Sequence, residues 1–363
     1  MESKQFCIFC GQKPREKTKE HVLPRWLLEL TGDPGRVVTL GINYSTQKEL
    51  RYSWAKFTFP ACDACNAKYS VLEGKAKPIV ERLLRREQCS AGDFYVLLDW
   101  LDKVRVGLWL GYYILQGNPV GIVPSFFINS RVGTKDRMLA LYTIDTNELG
   151  LNAFGVNTFV FQTQPSCFAL KINSIVLLNV SSDCVFSIRA GFPGPRTMNY
   201  HLDGPSRSML EMSDWKFTGK IKLPNFQIRI VKPTIKVFQI VLPLDNSGQM
   251  VSLREVKDQL PILSRMSHGS NRSYLLKESP DRLTEFYEEN ELVEFDEVKG
   301  TDCRPLFEIF SSVFDIQSEL LKRNEWVASD PNLAREKEKQ VNEIIRTNRN
   351  MRNIFRQQVS KSR

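Results

Sequence analysis

Two pairs of cysteines constrain the N-terminal part of this chain more than any other feature. Cys7 and Cys10 form one Cys-x-x-Cys pair, and Cys62 and Cys65 form the other. This two-residue spacing lets a tight turn offer both sulfurs to one tetrahedral zinc ion. Two such pairs in one chain are a strong signal for a metal site. We therefore predict that the four cysteines hold one structural zinc ion.

The segment between and after the two pairs contains residue types suited to hydrolytic chemistry. His21 is the only histidine in this region, and it lies in the sequence Glu20-His21-Val22-Leu23-Pro24. Asn66 follows the second cysteine pair directly and begins a segment whose apolar residues recur every three or four positions up to residue 84. This period predicts a helix, and Pro78 within it predicts either a kink or the start of a second helix.

This combination of motifs resembles the HNH endonucleases, a branch of the ββα-metal nucleases. The resemblance covers roughly residues 5 to 85. It rests on the Glu20-His21-Val22-x-Pro24 turn, on the two cysteine pairs that frame it and on Asn66. The resemblance implies a β-hairpin followed by a helix, with the structural zinc holding the two cysteine turns together.

The resemblance also implies a role for each residue of the motif. His21 would be the general base, and Glu20 and Asn66 would be the ligands of a catalytic ion. The family often has histidine where this chain has Asn66. An amide oxygen is a hard ligand, so the site suits Mg²⁺ or Mn²⁺. Asn43 is the candidate for the middle asparagine of the motif. Glu73 is expected to orient a metal-bound water or a lysine, or to be a solvated helix residue.

The charge of the chain favours a polyanionic partner. The net charge is +9 and the pI is about 9.1, which is compatible with binding to nucleic acid. Lys17, Lys19 and Arg25 lie beside the motif and are our candidate phosphate contacts. The basic residues after 335 are expected to form a solvated helix face rather than a second nucleic-acid contact. The acidic run from 281 to 297 predicts a surface helix.

The rest of the chain predicts an α+β fold with three regions. Residues 1–88 would form an N-terminal ββα-metal (HNH) module with structural zinc, residues 89–250 an antiparallel β-rich α+β accessory domain, and residues 251–363 a mainly helical C-terminal region with a basic tail. Predicted strands cover residues 138–142, 158–161, 168–172, 175–180, 185–188, 226–230 and 235–241, and residues 191–205 would form an irregular loop.

The most apolar long segment, residues 94–115, predicts a buried helix rather than a membrane span. Asp99, Asp102, Lys103 and Arg105 interrupt it, and a bilayer would not tolerate these charges cheaply. The four remaining cysteines are scattered and no signal peptide is recognisable, which favours a reducing cytoplasm.

These observations lead us to expect a metal-dependent endonuclease that cuts DNA in preference to RNA. By analogy with other HNH proteins, it would belong to an anti-phage defence or restriction-like system, with other proteins of a defence complex as candidate partners. Two alternatives stay open. One is a catalytically inactive zinc-knuckle protein that binds nucleic acid, and the other is a scaffold component of a larger complex.

Overall fold

The computed structural model shows a mixed α+β protein. It describes residues 6–42, 48–53, 57–115, 124, 126–192, 194–202, 208–216, 222–224, 230–241, 273–280, 282–286, 288–294, 303–322 and 331–361. Asn43 and most of the predicted strand 226–230 lie outside these residues. Within the described part, no helix is long and apolar enough to cross a membrane.

The N-terminal part is built on two antiparallel strand pairs and one long helix. Its elements are β1 (Lys17–His21), α1 (Arg25–Leu30), β2 (Val37–Ile42), β3 (Glu49–Ser53), β4 (Thr58–Cys62) and α2 (Asp63–Leu84). Strand β1 pairs with β4 so that Lys17 lies opposite Cys62 and His21 opposite Thr58. Strand β2 pairs with β3. A two-stranded β pair followed directly by a helix is therefore present in this region.

Helix α2 is continuous through Pro78, which excludes the alternative in which a second helix begins there. Its buried residues are Tyr69, Ala76, Ile79, Val80 and Leu83, which belong to the predicted apolar stripe. They pack towards the next elements, β5 (Cys89–Ser90) and α3 (Ala91–Leu115). Helix α3 covers the whole predicted segment 94–115 and begins slightly before it, at Ala91. It is buried along most of its described length.

A seven-stranded antiparallel sheet forms the centre of the protein. Its strands are β6 (Asp136–Thr143), β7 (Leu151–Phe154), β8 (Cys167–Ile172), β9 (Ile175–Ser182), β12 (Ile235–Val241), β13 (Ser273–Glu278) and β14 (Leu283–Glu285). The strand order is β14-β13-β12-β6-β9-β8-β7. The predicted strands at 138–142, 168–172, 175–180 and 235–241 are confirmed, because each lies within one of these elements.

The sheet separates two hydrophobic cores. Side chains alternate along a strand, so Leu177 of β9 packs in the core shared with α2 and α3, and its neighbours Val176 and Leu178 pack in the other. The second core is covered by α6 (Cys303–Lys322), through Ile309 and Val313. The last helix, α7 (Pro331–Lys361), packs beside α6.

Neither core follows the predicted domain boundaries. The first core is one continuous cluster that extends from Cys7 through Leu97 of α3 to the sheet, so it crosses residue 88. Strands β13 and β14 lie beyond residue 250, and they extend the same sheet as β6 and β12. The N-terminal ββα segment is therefore packed against the remainder of the chain by a shared core.

Two predicted strands are wrong, because local capping overrides the β propensity of their residues. Residues 158–161 begin α4 (Phe159–Thr163), where Thr158 Oγ1 accepts a hydrogen bond from the Phe161 N–H at 3.0 Å. Residues 185–188 belong to α5 (Val185–Ala190), which ends at Gly191 with φ +87°. A Ser or Thr N-cap and a C-terminal glycine both favour helix.

Two further predictions are corrected. The expected loop 191–205 contains β10 (Gly194–Leu202), which pairs with β11 (Ser208–Lys216) in a two-stranded antiparallel sheet. The acidic run is not a surface helix in its described part. It contributes β14 and also β15 (Leu292–Val293), which pairs with β5. Buried Leu283 and Val293 anchor this run to the body of the protein.

A network of charges, buried except for the partly exposed Asp99, joins α3 to the sheet. Arg137 of β6 donates through Nη1 to Asp99 Oδ1 at 2.6 Å and to Asp102 Oδ2 at 2.9 Å. Arg105 donates to Asp102 Oδ1 at 2.7 Å and to Asn179 Oδ1 of β9 at 2.6 Å. The carboxylates raise the pKa of Arg137 against the opposing effect of burial. These bonds fix the position of α3 on the sheet.

We predict that Arg137→Met destabilises the protein strongly, because it leaves the charge of buried Asp102 with one guanidinium instead of two. Breaking a buried ion pair by removing one partner costs about 3–5 kcal/mol. Urea denaturation measures the change. Arg25→Met is the control, since its ion pair with Glu29 is exposed and such pairs contribute about 0.5 kcal/mol. If Arg137→Met destabilises the protein no more than the control does, the stabilising role of the Arg137–Asp102 ion pair is contradicted.

Candidate metal and catalytic site

The four N-terminal cysteines converge on one point. Their Sγ atoms all lie within 4.8 Å of one another. Cys62 is the last residue of β4 and Cys65 lies in the first turn of α2, while Cys7 and Cys10 come from the loop before β1. Cys10 Sγ and Cys62 Sγ are 3.9 Å apart. Tetrahedral zinc with bonds of about 2.3 Å requires sulfurs about 3.8 Å apart, so the cluster has the right size.

The backbone around the cluster favours thiolates at some positions. The Cys62 N–H donates to Cys7 Sγ at 3.3 Å, and the Arg15 N–H donates to Cys62 Sγ at 3.4 Å. Burial raises the pKa of Cys7, but backbone N–H groups outweigh it and the net pKa is lowered. Burial and the neighbouring sulfurs raise the pKa of Cys65 to about 12. A cation would relieve this crowding of negative charge, and the four cysteines could hold a metal ion such as zinc.

The cysteine cluster also fixes the loop against the β1–β4 pair. The Ile8 N–H donates to the Pro60 carbonyl at 3.0 Å. The ring of Phe9 stacks on Tyr69 of α2, with centroids 4.4 Å apart. The loop, strand β4 and helix α2 are therefore held together by the core as well as by the four sulfurs.

Strand β1 presents its residues alternately to two faces. Lys17 and Lys19 are exposed, Glu20 is buried, and Thr18 and His21 are partly exposed. Glu20 and its neighbour His21 therefore start from opposite sides of the strand, as the resemblance implies. Thr18 lies two residues before Glu20 and so shares its face of the strand.

Helix α2 brings Asn66 to the same face of β1. The Asn66 Nδ2 amide donates to Thr18 Oγ1 at 3.3 Å. The two residues that we expect to bind the catalytic ion, Glu20 and Asn66, are thus placed on one side of the strand pair. The amide nitrogen makes the contact to Thr18, so the amide oxygen is the atom that a hard cation would take.

Glu20 is bound by a residue that the motif does not contain. Lys103 of α3 places its Nζ 2.5 Å from Glu20 Oε1, and the lysine side chain is 0% exposed. The sequence did carry a signal for this contact. A lysine within an otherwise apolar helix must find a partner when the helix is buried. The sequence alone does not identify the carboxylate that pairs with Lys103.

Glu73 of α2 is the second carboxylate on the same ammonium. Its Oε1 lies 2.5 Å from Lys103 Nζ. Burial raises the pKa of Glu73, and so does the negative charge of Glu20, while Lys103 and His21 oppose the rise. Of the alternatives for Glu73, the structure shows the contact with a lysine.

The turn after β1 is held by the same lysine and by close packing. Lys103 Nζ donates to the carbonyl oxygens of His21 at 3.0 Å and of Val22 at 3.1 Å. A Cβ added to Gly107, one turn further along α3, would meet Val22 Cγ1 at 2.9 Å. Helix α3 and the turn can approach this closely because Gly107 has no side chain.

Arg25, the third candidate phosphate contact, begins α1. It is exposed and forms an ion pair with Glu29 at 2.8 Å. Such a pair is weak in water, so Arg25 is accessible to a phosphate but partly neutralised. Lys17 and Lys19 are the better placed of the three, because they lie on β1 itself.

Comparisons with known proteins yielded no matching family model, curated protein or solved structure.

We predict that the purified protein carries about one zinc ion per chain. Cys62→Ser should lose this zinc and lower the melting temperature, because three remaining thiolates bind zinc less tightly than four. Metal content by mass spectrometry and thermal melting measure both effects. Cys167→Ala is the control, since Cys167 is also buried but lies on β8, outside the cluster. Equal zinc content in the two variants would contradict the site.

Proposed function

We propose that the N-terminal module is a metal-dependent endonuclease of the HNH type that hydrolyses phosphodiester bonds in DNA. One observation carries the proposal. The Asn66–Thr18 hydrogen bond joins the helix that follows the cysteine cluster to the strand that carries Glu20 and His21. The helix that carries one predicted ligand is therefore in contact with the strand that carries the other ligand and the predicted base, which supports the proposal.

Each residue would have a distinct task in the reaction. His21 would accept the proton of the attacking water, a role that histidine suits because its ordinary pKa lies near neutrality. Glu20 and Asn66 would hold one Mg²⁺ or Mn²⁺ ion through a carboxylate and an amide oxygen. When bound, this ion would supply Lewis-acid stabilisation of the phosphate and the leaving oxygen. The ion of the cysteine cluster, zinc in this proposal, would be structural.

The exposed side of β1 supports DNA as the substrate. Lys17 and Lys19 are exposed on the strand that ends at His21. Cations at this position would hold the phosphate backbone next to the base, and each phosphate neutralised releases counterions. Modules of this type commonly occur in anti-phage and restriction systems, which we propose by analogy as the context of this protein.

The ion pair between Glu20 and Lys103 favours a second candidate function. A carboxylate already neutralised by an ammonium 2.5 Å away attracts a divalent ion less strongly. In this case the module would bind nucleic acid through Lys17 and Lys19 without cutting it. The two candidates differ in the fate of the substrate and not in its binding.

We predict that the protein nicks or linearises supercoiled plasmid in the presence of Mg²⁺ or Mn²⁺, and that EDTA abolishes the reaction. His21→Ala should slow cleavage by about 10²–10⁴-fold, because general-base catalysis contributes a factor of this size. Plasmid binding by the variant should be unchanged. If the zinc-loaded wild type binds plasmid but leaves it intact with every divalent ion, the second candidate is supported and the nuclease is contradicted.

We also predict that replacing both Lys17 and Lys19 by alanine weakens DNA binding and flattens its salt dependence. The slope of log K against log salt should fall by about one for each phosphate that the protein no longer neutralises. Fluorescence anisotropy at several salt concentrations measures it. Lys171→Ala, on β8 of the central sheet, is the control and should leave the slope unchanged. An unchanged slope in the double variant would remove β1 from the DNA interface.

A further inference from the structure

Lys103 is surrounded by oxygen atoms from two other segments of the chain. Its Nζ lies within 3.1 Å of four oxygens: those of the Glu20 and Glu73 carboxylates, and the carbonyls of His21 and Val22. An ammonium group has three N–H donors, so these four acceptors use its full donor capacity. No water is needed to satisfy it, which fits a side chain that is 0% exposed.

The lysine is itself held rigidly. Asp102, next to it in α3, accepts hydrogen bonds from Arg105 at 2.7 Å and Arg137 at 2.9 Å. The bond from Arg137 of β6 anchors α3 to the central sheet, so the ammonium has a fixed position relative to β1. A charge on a rigid element can define the geometry of the groups that it contacts.

We infer that Lys103 is a positioning residue of the proposed nuclease, holding the Glu20 carboxylate and the backbone of the His21 turn in the arrangement that catalysis requires. This inference rests on the proposed function. Lys103 contacts Oε1 of Glu20, so Oε2 is the oxygen assigned to the divalent ion. The active unit therefore includes α3, which lies outside the segment that resembles the HNH family.

The test is Lys103→Met in the full chain, with Lys171→Met on β8, a partly exposed lysine outside the site, as the control. Both variants are first checked for zinc content and thermal melting. We expect Lys103→Met to reduce kcat for plasmid cleavage about 100-fold, the effect typical of a misplacement of about 1 Å. KM should change less than threefold, because Lys17 and Lys19 still bind the DNA. A folded, zinc-loaded Lys103→Met variant with kcat within twofold of wild type would overturn the inference.

Failure of the proposed nuclease is distinguished by a readout other than activity. The chain has only three histidines, so the ring signals of His21 can be identified in an NMR spectrum by their disappearance in His21→Ala. Lys103→Met should shift these signals at constant pH, and Lys171→Met should not. An inactive wild type with this shift refutes the nuclease and with it the catalytic part of the inference, and it retains only the finding that Lys103 fixes the His21 turn. Unshifted signals refute the positioning role.

If Lys103→Met does not fold, the second test variant is Glu73→Gln. It retains the size of the side chain and leaves Glu20 as the only carboxylate that neutralises Lys103. Mn²⁺ should then bind at least about fivefold more weakly, because the local charge is one unit less negative. The His21 ring signals should also shift in this variant. Unchanged Mn²⁺ affinity together with unshifted ring signals would overturn the inference.

Discussion

The ion contact between Lys103 and the two carboxylates of Glu20 and Glu73 organises the N-terminal module. Burying a lysine is costly unless its charge is paired and its donors are satisfied. Here the partners come from β1 and α2, and the lysine comes from α3. The contact can form only when all three elements are in place. The folding of the strand pair and the packing of α3 are therefore coupled at the residues that we assign to the chemistry.

The cysteine cluster and the shared core also stabilise the N-terminal module. A two-stranded antiparallel pair is marginal in water by itself. Strands β1 and β4 are stabilised at one end by four sulfurs within 4.8 Å of one another and along one side by α2 and α3. The module thus combines a local cysteine cluster that could hold a metal ion with a helix that belongs to the larger body of the protein.

The parts of the site that were predictable from the sequence are those set by short-range spacing. The cysteine pairs could be assigned to one metal site because each offers two sulfurs from one turn. Helix α2 was predictable from its apolar period. The contact of Lys103 with Glu20 could not be predicted, because it joins residues far apart in the sequence and depends on how α3 packs. The β-branched and aromatic residues of 158–161 and 185–188 predict strands, although Thr158 and Gly191 in the same sequence favour helix caps.

The proposed chemistry of the module would need two different metals. Glu20 and Asn66 would hold a divalent ion beside Lys103, and the four cysteines, which could bind a metal such as zinc, would hold the second. Anomalous diffraction from crystals grown with Mn²⁺, measured at the zinc and manganese edges, tests this claim directly. We expect a zinc peak among Cys7, Cys10, Cys62 and Cys65 and a separate manganese peak against Glu20 and Asn66. A zinc peak alone, with the Glu20–Lys103 ion pair intact and no manganese near it, would contradict the claim.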